Sequence, residues 1–281
     1  MKIHFNIVFS FSALLFSVSA MAGNNLSLYA SSSGSAVLTE ADNHKSILVF
    51  AGGDEFGQAT AGSCVVAANL LAIKGGFEGK LVPVTTEINS YDKSQAQGRS
   101  ISIEMQSDAI VINDVDFVGL CSLDSSLVNV YQHIGVSDRR YKNLYAEMME
   151  IAHTDALAMF KDGRVMDAIA RLSSFADGYD VSWLKDKDVE RVVISAINDY
   201  AFFLQQNNSA MESITFLNNV VSADPCRAVA WLNLADSNWI IDKKNEAVKQ
   251  YVEYKKLMLL KDKKSKIPLR VIERINTPVG S

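Results

Sequence analysis

Residues 224–254 read DPCRAVAWLNLADSNWIIDKKNEAVKQYVEY, and the apolar skeleton of this stretch occurs once before, 34 residues upstream. Leu234-Ala235 repeats Tyr200-Ala201, Asn238 stands where Leu204 stood, Tyr251 follows Leu217, and Tyr254 follows Val220. Between the copies Asp224-Pro225 interrupts a helical pattern, because proline has no N–H to donate and disfavours the helical region for the residue before it. A new amphipathic run starts at Ala228. Self-similarity at this period belongs to arrays of helical hairpins, each unable to bury its apolar face without a neighbour.

The residue sizes agree with stacking. Small side chains at Ala201, Ala235 and Ala247 let helices approach, while Tyr200, Leu217, Trp231, Leu234 and Tyr251 fill the space between hairpins. On Pro225, Trp231, Leu234, Ala235, Ala247, Tyr251 and Tyr254 the chain resembles the tetratricopeptide repeat family. A third copy of the spacing occupies 152–175, where Ala156 takes the place of Ala201 and Ala235, Gly163 marks the turn, and Ala168, Leu172 and Phe175 match Ala247, Tyr251 and Tyr254. Eleven extra residues, 178–188, separate it from the next copy. Two positions depart from the pattern: Ser213 replaces a small alanine and Asn238 a large apolar residue. The resemblance covers 149–258. A capping helix is expected over 265–275, with Ser265 as its cap, Pro268 in its first turn, and Ile267, Val271 and Ile275 covering the last repeat.

The resemblance also implies a concave face that holds a protein or peptide. If Ile197, Tyr200, Ala201 and Leu204 face the core, the helical period puts Ser195, Asn198, Phe202 and Gln205 on the other side. The equivalents are Val229, Leu232, Asp236 and Trp239 in the next repeat, and Glu150, His153, Leu157 and Phe160 in the first. Asn198, Phe202, Gln205, Leu232, Asp236, Trp239, His153 and Phe160 are therefore the expected partner-binding residues. For Phe202 and Trp239 the competing expectation is packing beneath an adjacent helix.

Upstream of the repeats the period changes. Met1-Lys2, a mostly apolar run from Ile3 to Val18, and Ala20-Met21-Ala22 before Gly23 have the layout of a secretory signal peptide spanning 1–22, which places the mature chain in the periplasm or outside the cell. Polar interruptions at Asn6, Ser10, Ser12 and Ser17 leave the run short of a membrane span, so none is expected in the mature chain. Residues 23–45, rich in Ser and Gly, read as a flexible leader. Residues 46–135 read as a small antiparallel β domain: 47–51, 64–73, 81–88 and 100–105 are apolar or alternating runs bounded by turn residues, with 109–112 and 117–120 as further strands. Pro83 marks an edge or a strand start, and 89–99 is expected to be a long hairpin loop. From 138 to 281 the period is helical, beginning with a stripe of Tyr141, Leu144, Tyr145, Met148, Met149 and Ala152. The fold class is thus α+β, a small antiparallel β domain followed by a tetratricopeptide-like helical array.

Three cysteines fall in an apparently exported chain. Cys64 and Cys121 share the β half and are expected to pair, with two buried thiols as the alternative. Cys226 follows Pro225 in an inter-repeat turn and is left unpaired. His44, His133 and His153 have neither a second ligand at helical spacing nor a cysteine pair beside them, so neither metal nor cofactor is expected. Asp114, Asp116 and Asp124 lack the glycine and terminal glutamate of a calcium loop. Cys64 with His133 is the one nucleophile–base pair that could be written, and Cys121 competes for that sulfur. The formal charge is −5, yet 242–281 alone carries 11 Lys and Arg against 5 Asp and Glu. The chain is acidic overall and has no stripe of basic residues regularly interleaved with aromatic ones, so no nucleic-acid partner is expected. The expected function is an exported protein–protein interaction module without enzymatic activity, its oligomeric state open. An immunity protein against a secreted antibacterial toxin, or a hydrolase using the β domain, are the alternatives.

Overall fold

The computed structural model describes residues 25–41, 44–52 and 62–277; the expected signal segment lies outside them. Ten strands come first: β1 Asn25–Ser31, β2 Gly34–Ala41, β3 His44–Ala51, β4 Cys64–Ile73, β5 Gly76–Val82, β6 Val84–Thr85, β7 Ser90–Tyr91, β8 Ser100–Met105, β9 Ala109–Val115 and β10 Val130–His133. Eight of them close into an antiparallel barrel in the order β1-β10-β9-β8-β5-β4-β3-β2, and β6 pairs with β7 apart from it.

Closure corrects the expected leader. Residues 25–41 are two full barrel strands, paired from Asn25↔Glu40 to Ser31↔Gly34. Their Ser and Gly content masks an alternation of Leu26, Leu28 and Ala30 that supplies one buried face, and the polar residues collect in the turn between the strands. Without these strands β3 and β10 would be open edges, so the β unit begins at 25 and not at 46. Three further expectations change. The expected strand 81–88 is split at Pro83, which ends β5 and directly precedes β6, as its reading as a strand start implies. Residues 117–120 form turns. The loop 89–99 holds β7 and a short helix, α1 Lys93–Ala96, whose Asp92 and Gln95 make a reciprocal capping box.

Side chains alternate between the barrel's faces. Cross-strand rows such as Ala36↔Val49↔Val66 and Phe77↔Ile103↔Ile112 fill the interior. An eight-stranded barrel is just wide enough for such filling, and the fit is close. A methyl on Gly79 would stand 2.6 Å from Leu70 Cδ2 and 2.9 Å from Ile101 Cγ2. Fully buried Tyr131 donates its hydroxyl to the Leu127 carbonyl at 3.0 Å. A disulfide joins Cys64, at the start of β4, to Cys121 in the 116–129 segment.

The helices follow as α2 Tyr141–Lys161, α3 Val165–Gly178, α4 Glu190–Gln206, α5 Ala210–Ala223, α6 Ala228–Ile240, α7 Lys244–Leu260 and α8 Leu269–Asn276. They pair as antiparallel hairpins α2–α3, α4–α5 and α6–α7. Each hairpin turns on a residue with positive φ: Gly163 (78°), Asn208 (63°) and Asp242 (63°). Glycine, asparagine and aspartate are the types that tolerate this conformation. Asn208 and Asp242 stand 34 residues apart, while Gly163 and Asn208 stand 45 apart, longer by the 11-residue insertion. The insertion carries a 3-10 turn, Val181–Lys185, whose Trp183 lies edge-on to Tyr145 at 5.1 Å and whose Leu184 is buried.

The array is sealed at both ends by different means. At the start, α2 and α3 lie on the outer face of β1–β3, where Leu28, Val37, Leu48 and Phe50 are buried. One apolar core runs without interruption from the barrel into the first two hairpins. The barrel therefore takes the place of a terminal capping repeat, which a solenoid otherwise needs for solubility. At the far end α8 lays Val271 on a second cluster with Ala235, Ala247, Tyr251 and Tyr254, and Ile267 and Ile275 flank it. Pro268, and not Ser265, is its N-cap residue.

Candidate partner-binding site

The first helices of the hairpins, α2, α4 and α6, stand side by side and carry the eight residues expected to bind a partner. The structure divides them into three groups. His153 on α2 places Nε2 2.8 Å from Asp199 Oδ2 on α4, and Asn198 donates Nδ2 to the other oxygen of Asp199 at 2.9 Å. Phe160 lies edge-on to Phe202 at 5.4 Å and stacks on Phe203 at 4.8 Å. Phe160, Asp199 and Phe202 are half-buried and the His153 side chain is 12% exposed, so a polar and an aromatic pair share one partly accessible helical surface.

Asn198 and Gln205 do not belong to that surface. Both are buried, and Gln205 donates to the Asn233 carbonyl at 2.8 Å and to Ser237 Oγ at 2.6 Å on α6. Ser213 joins the same network, 3.1 Å from Ser237 Oγ, which accounts for its departure from alanine. Adjacent first helices pack on one another as well as on their partner helices. The non-core face of α4 is thus split between the groove and the seam with α6, a division the helical period cannot show. Phe202 combines both expectations: it packs on Phe160 and keeps part of its ring exposed.

Leu232, Asp236 and Trp239 are engaged by the chain itself. Arg270 and Arg274 of α8 each reach Asp236 at 2.6 Å, and Tyr251 donates its hydroxyl to the same carboxylate at 2.5 Å. Burial, reinforced by Asp236, pushes the Tyr251 phenol well up, so it remains a neutral donor. The Arg274 guanidinium also lies over the Trp239 ring, 4.9 Å from its centroid. Leu232 and Trp239 border the apolar cluster beneath α8. Asp236 and Trp239 thus help to seat the cap and Leu232 packs beside it, while all three keep part of their surface exposed.

Other groups escaped sequence reasoning. Asp155, only 2% exposed, accepts the Thr85 N–H at 2.8 Å and places Oδ2 3.0 Å from Nε of Arg171, itself 12% exposed. This pair ties α2 and α3 to the chain beyond Pro83. Its one signal was an aspartate inside the apolar stripe, next to Ala156. Beside it a cleft of about 950 Å³, lined by Lys80, Tyr91, Arg164, Arg171 and others, runs between barrel and helices. In the barrel the Cys64 sulfur is held in the disulfide with Cys121, which removes it as a nucleophile. Cys226 is exposed and unpaired.

Neither a protein-family model nor a curated protein matches this chain. Among solved structures, the first TPR of Spaghetti (RPAP3), bound to an HSP90 peptide, is similar over 47% of this chain and 96% of its own, with 12% identity and a TM-score of 0.37. The C-terminal TPR-containing domain of a Plasmodium falciparum FK506-binding protein is similar over 47% of this chain and 87% of its own, with 16% identity and a TM-score of 0.39. PcrH from Pseudomonas aeruginosa gives 50% and 92%, with 12% identity and a TM-score of 0.33. With TM-scores this low, the assignment rests on the turns, spacing and small-residue contacts of the chain's own hairpins. The C-terminal half is a tetratricopeptide-repeat-like array of three helical hairpins, closed by a barrel at one end and by α8 at the other.

Proposed function

We propose that the protein is an exported interaction module that holds a protein or peptide segment against the surface of α2 and α4. The observation that carries this reading is the side-by-side placement of His153–Asp199 and Phe160–Phe202. An edge-to-face aromatic pair offers apolar contact, and the neighbouring imidazole and carboxylate offer hydrogen bonds, the combination found at binding hot spots with polar rims. The last repeat contributes less to this surface because α8 engages Asp236 and Trp239 and Leu232 packs beside it.

The test pairs His153→Ala with Phe202→Ala in an affinity pull-down from periplasmic extract, against wild type and against a Thr215→Ala control on the exposed face of α5. Partners should be lost by the double variant and kept by the control. Recovery of the same partners at undiminished yield from the double variant would show that this surface is not the site. Export is tested separately by N-terminal sequencing of the periplasmic protein, which is expected to begin at Gly23.

A further inference from the structure

The outer face of α7 is unusual for a solvated helix. Ala247, Tyr251, Tyr254 and Met258 turn inward, and the opposite stripe consists of Lys249, Val252, Lys256, Leu259 and Leu260, all exposed. The stripe runs into a turn of lysines and then into Leu269 at the start of α8. Leu260 is 75% exposed, Leu269 72%, Val252 48% and Leu259 46%. Single exposed aliphatic residues need no explanation, but several together among cations do.

The charge around them is predominantly basic, with Glu253 on α7 and exposed Glu273 on α8 as acidic neighbours. Residues 255–270 contain Lys255, Lys256, Lys261, Lys263, Lys264, Lys266 and Arg270, with Asp262 as the lone acid. Lys256 pairs with Glu253, Lys261 donates to the Cys226 carbonyl, and Arg270 is held by Asp236. Lys255, Lys263, Lys264 and Lys266 have no carboxylate partner among the described residues.

We propose that this tip, from the outer face of α7 through the start of α8, docks peripherally on an anionic lipid bilayer. Leucines and valine would enter the headgroup boundary and the unpaired lysines would meet lipid phosphates, the arrangement of interfacial helices. Each lysine near an anionic surface adds attraction that falls off within a Debye length. A nucleic acid would satisfy the lysines while leaving the leucines in water, and a second copy of the chain would bring like charges together. The bilayer answers both features at once. Among the described residues no helix is long and apolar enough to cross a membrane, so the contact is on the surface. It lies on a different face from His153 and Phe202 and stands or falls independently of the proposed function.

The experiment is co-sedimentation of the mature protein with vesicles of 70:30 phosphatidylcholine:phosphatidylglycerol, with pure phosphatidylcholine vesicles as control, at low and high NaCl. Wild type should pellet with the anionic vesicles, at least tenfold more than with the neutral ones, and be released by salt. Leu260→Ser with Leu269→Ser, and separately Lys263→Gln with Lys264→Gln and Lys266→Gln, should each weaken binding about tenfold. Circular dichroism monitors the fold of both. No binding by wild type overturns the proposal. Binding unaffected by the leucine changes, and competed by poly-glutamate or duplex DNA, overturns it in favour of a soluble polyanion. A dimer in sedimentation that the leucine changes abolish, without vesicle binding, overturns it in favour of a second copy.

Discussion

Replacing Asp155 by alanine should destabilise the fold markedly. The carboxylate is 2% exposed, lies 3.0 Å from Arg171, and accepts the Thr85 N–H at 2.8 Å. Breaking a buried pair leaves an uncompensated charge and costs about 3–5 kcal/mol. The cleft beside Arg171 lets water reach its guanidinium, which favours the lower figure. The orphaned Thr85 N–H adds about 1 kcal/mol, for a total of about 4 kcal/mol. Asp155→Asn keeps an acceptor for Thr85 and should lose less. Asp155→Leu with Arg171→Met removes both charges, and should lie within about 2 kcal/mol of wild type because an apolar pair avoids the desolvation of two ions. Urea unfolding with the disulfide intact measures these values, read by far-UV circular dichroism and by tryptophan fluorescence. Trp183, Trp231 and Trp239 all lie in the helical half. Since one core joins the barrel to the first two hairpins, the two probes should report one transition. An Asp155→Ala cost below about 1 kcal/mol, strict additivity with Arg171→Met, or separate transitions for the two probes would refute the idea that the barrel caps the array through this contact.

Reduction of the Cys64–Cys121 disulfide, which closes a separation of 57 residues, should lower stability by about 4 kcal/mol in the chain-entropy description. Thiol labelling of the native, unreduced protein should find Cys226 alone, and a second reactive thiol would contradict the bridge. Gly79→Ala should cost about 1–3 kcal/mol, because its methyl would press on Leu70 and Ile101 inside the filled barrel; a thermal midpoint equal to wild type would contradict that packing. Burial holds the Glu147 carboxyl above its ordinary value, opposed by the Ser35 hydroxyl. The folded state therefore favours the protonated form: the penalty is absent below the unfolded pKa, grows as pH rises toward the raised folded value, and is complete above it. Glu147→Gln should accordingly raise the thermal midpoint at pH 7 and narrow the difference between pH 7 and pH 4; a lowered midpoint at pH 7 would contradict the assignment.

Much of the helical half was legible because its information is local and repeated. The 34-residue echo, the small residues at Ala201 and Ala235, and the turn at Gly163 each constrain a single hairpin, and each hairpin sees the same kind of neighbour. The pairing of Cys64 with Cys121 followed from parity and from their sharing one half of the chain. The strand 64–73 was readable as an apolar run closed by glycines, and 100–105 from alternation. The first two barrel strands were not, since serine-rich alternation has the composition of a linker until closure supplies a partner on each edge. The candidate site was legible only by helix face. Asn198 and Phe202 share the non-core side of α4, yet one is buried and bonded to Asp199 while the other remains half open.

By itself, the sequence determined where the hairpin helices and the strands β3, β4, β8 and β9 lie, which residues form each hairpin's core, and that the array needs ends. These follow from periodicity and residue size, properties of chain neighbours. Tertiary structure alone decided what the ends are: a barrel whose outer face replaces a repeat, and a helix whose two arginines occupy Asp236. It thereby decided which part of the repeat surface stays accessible. Accessibility is a relation between segments far apart in sequence, and it is set by which of them reach a given face and cover it.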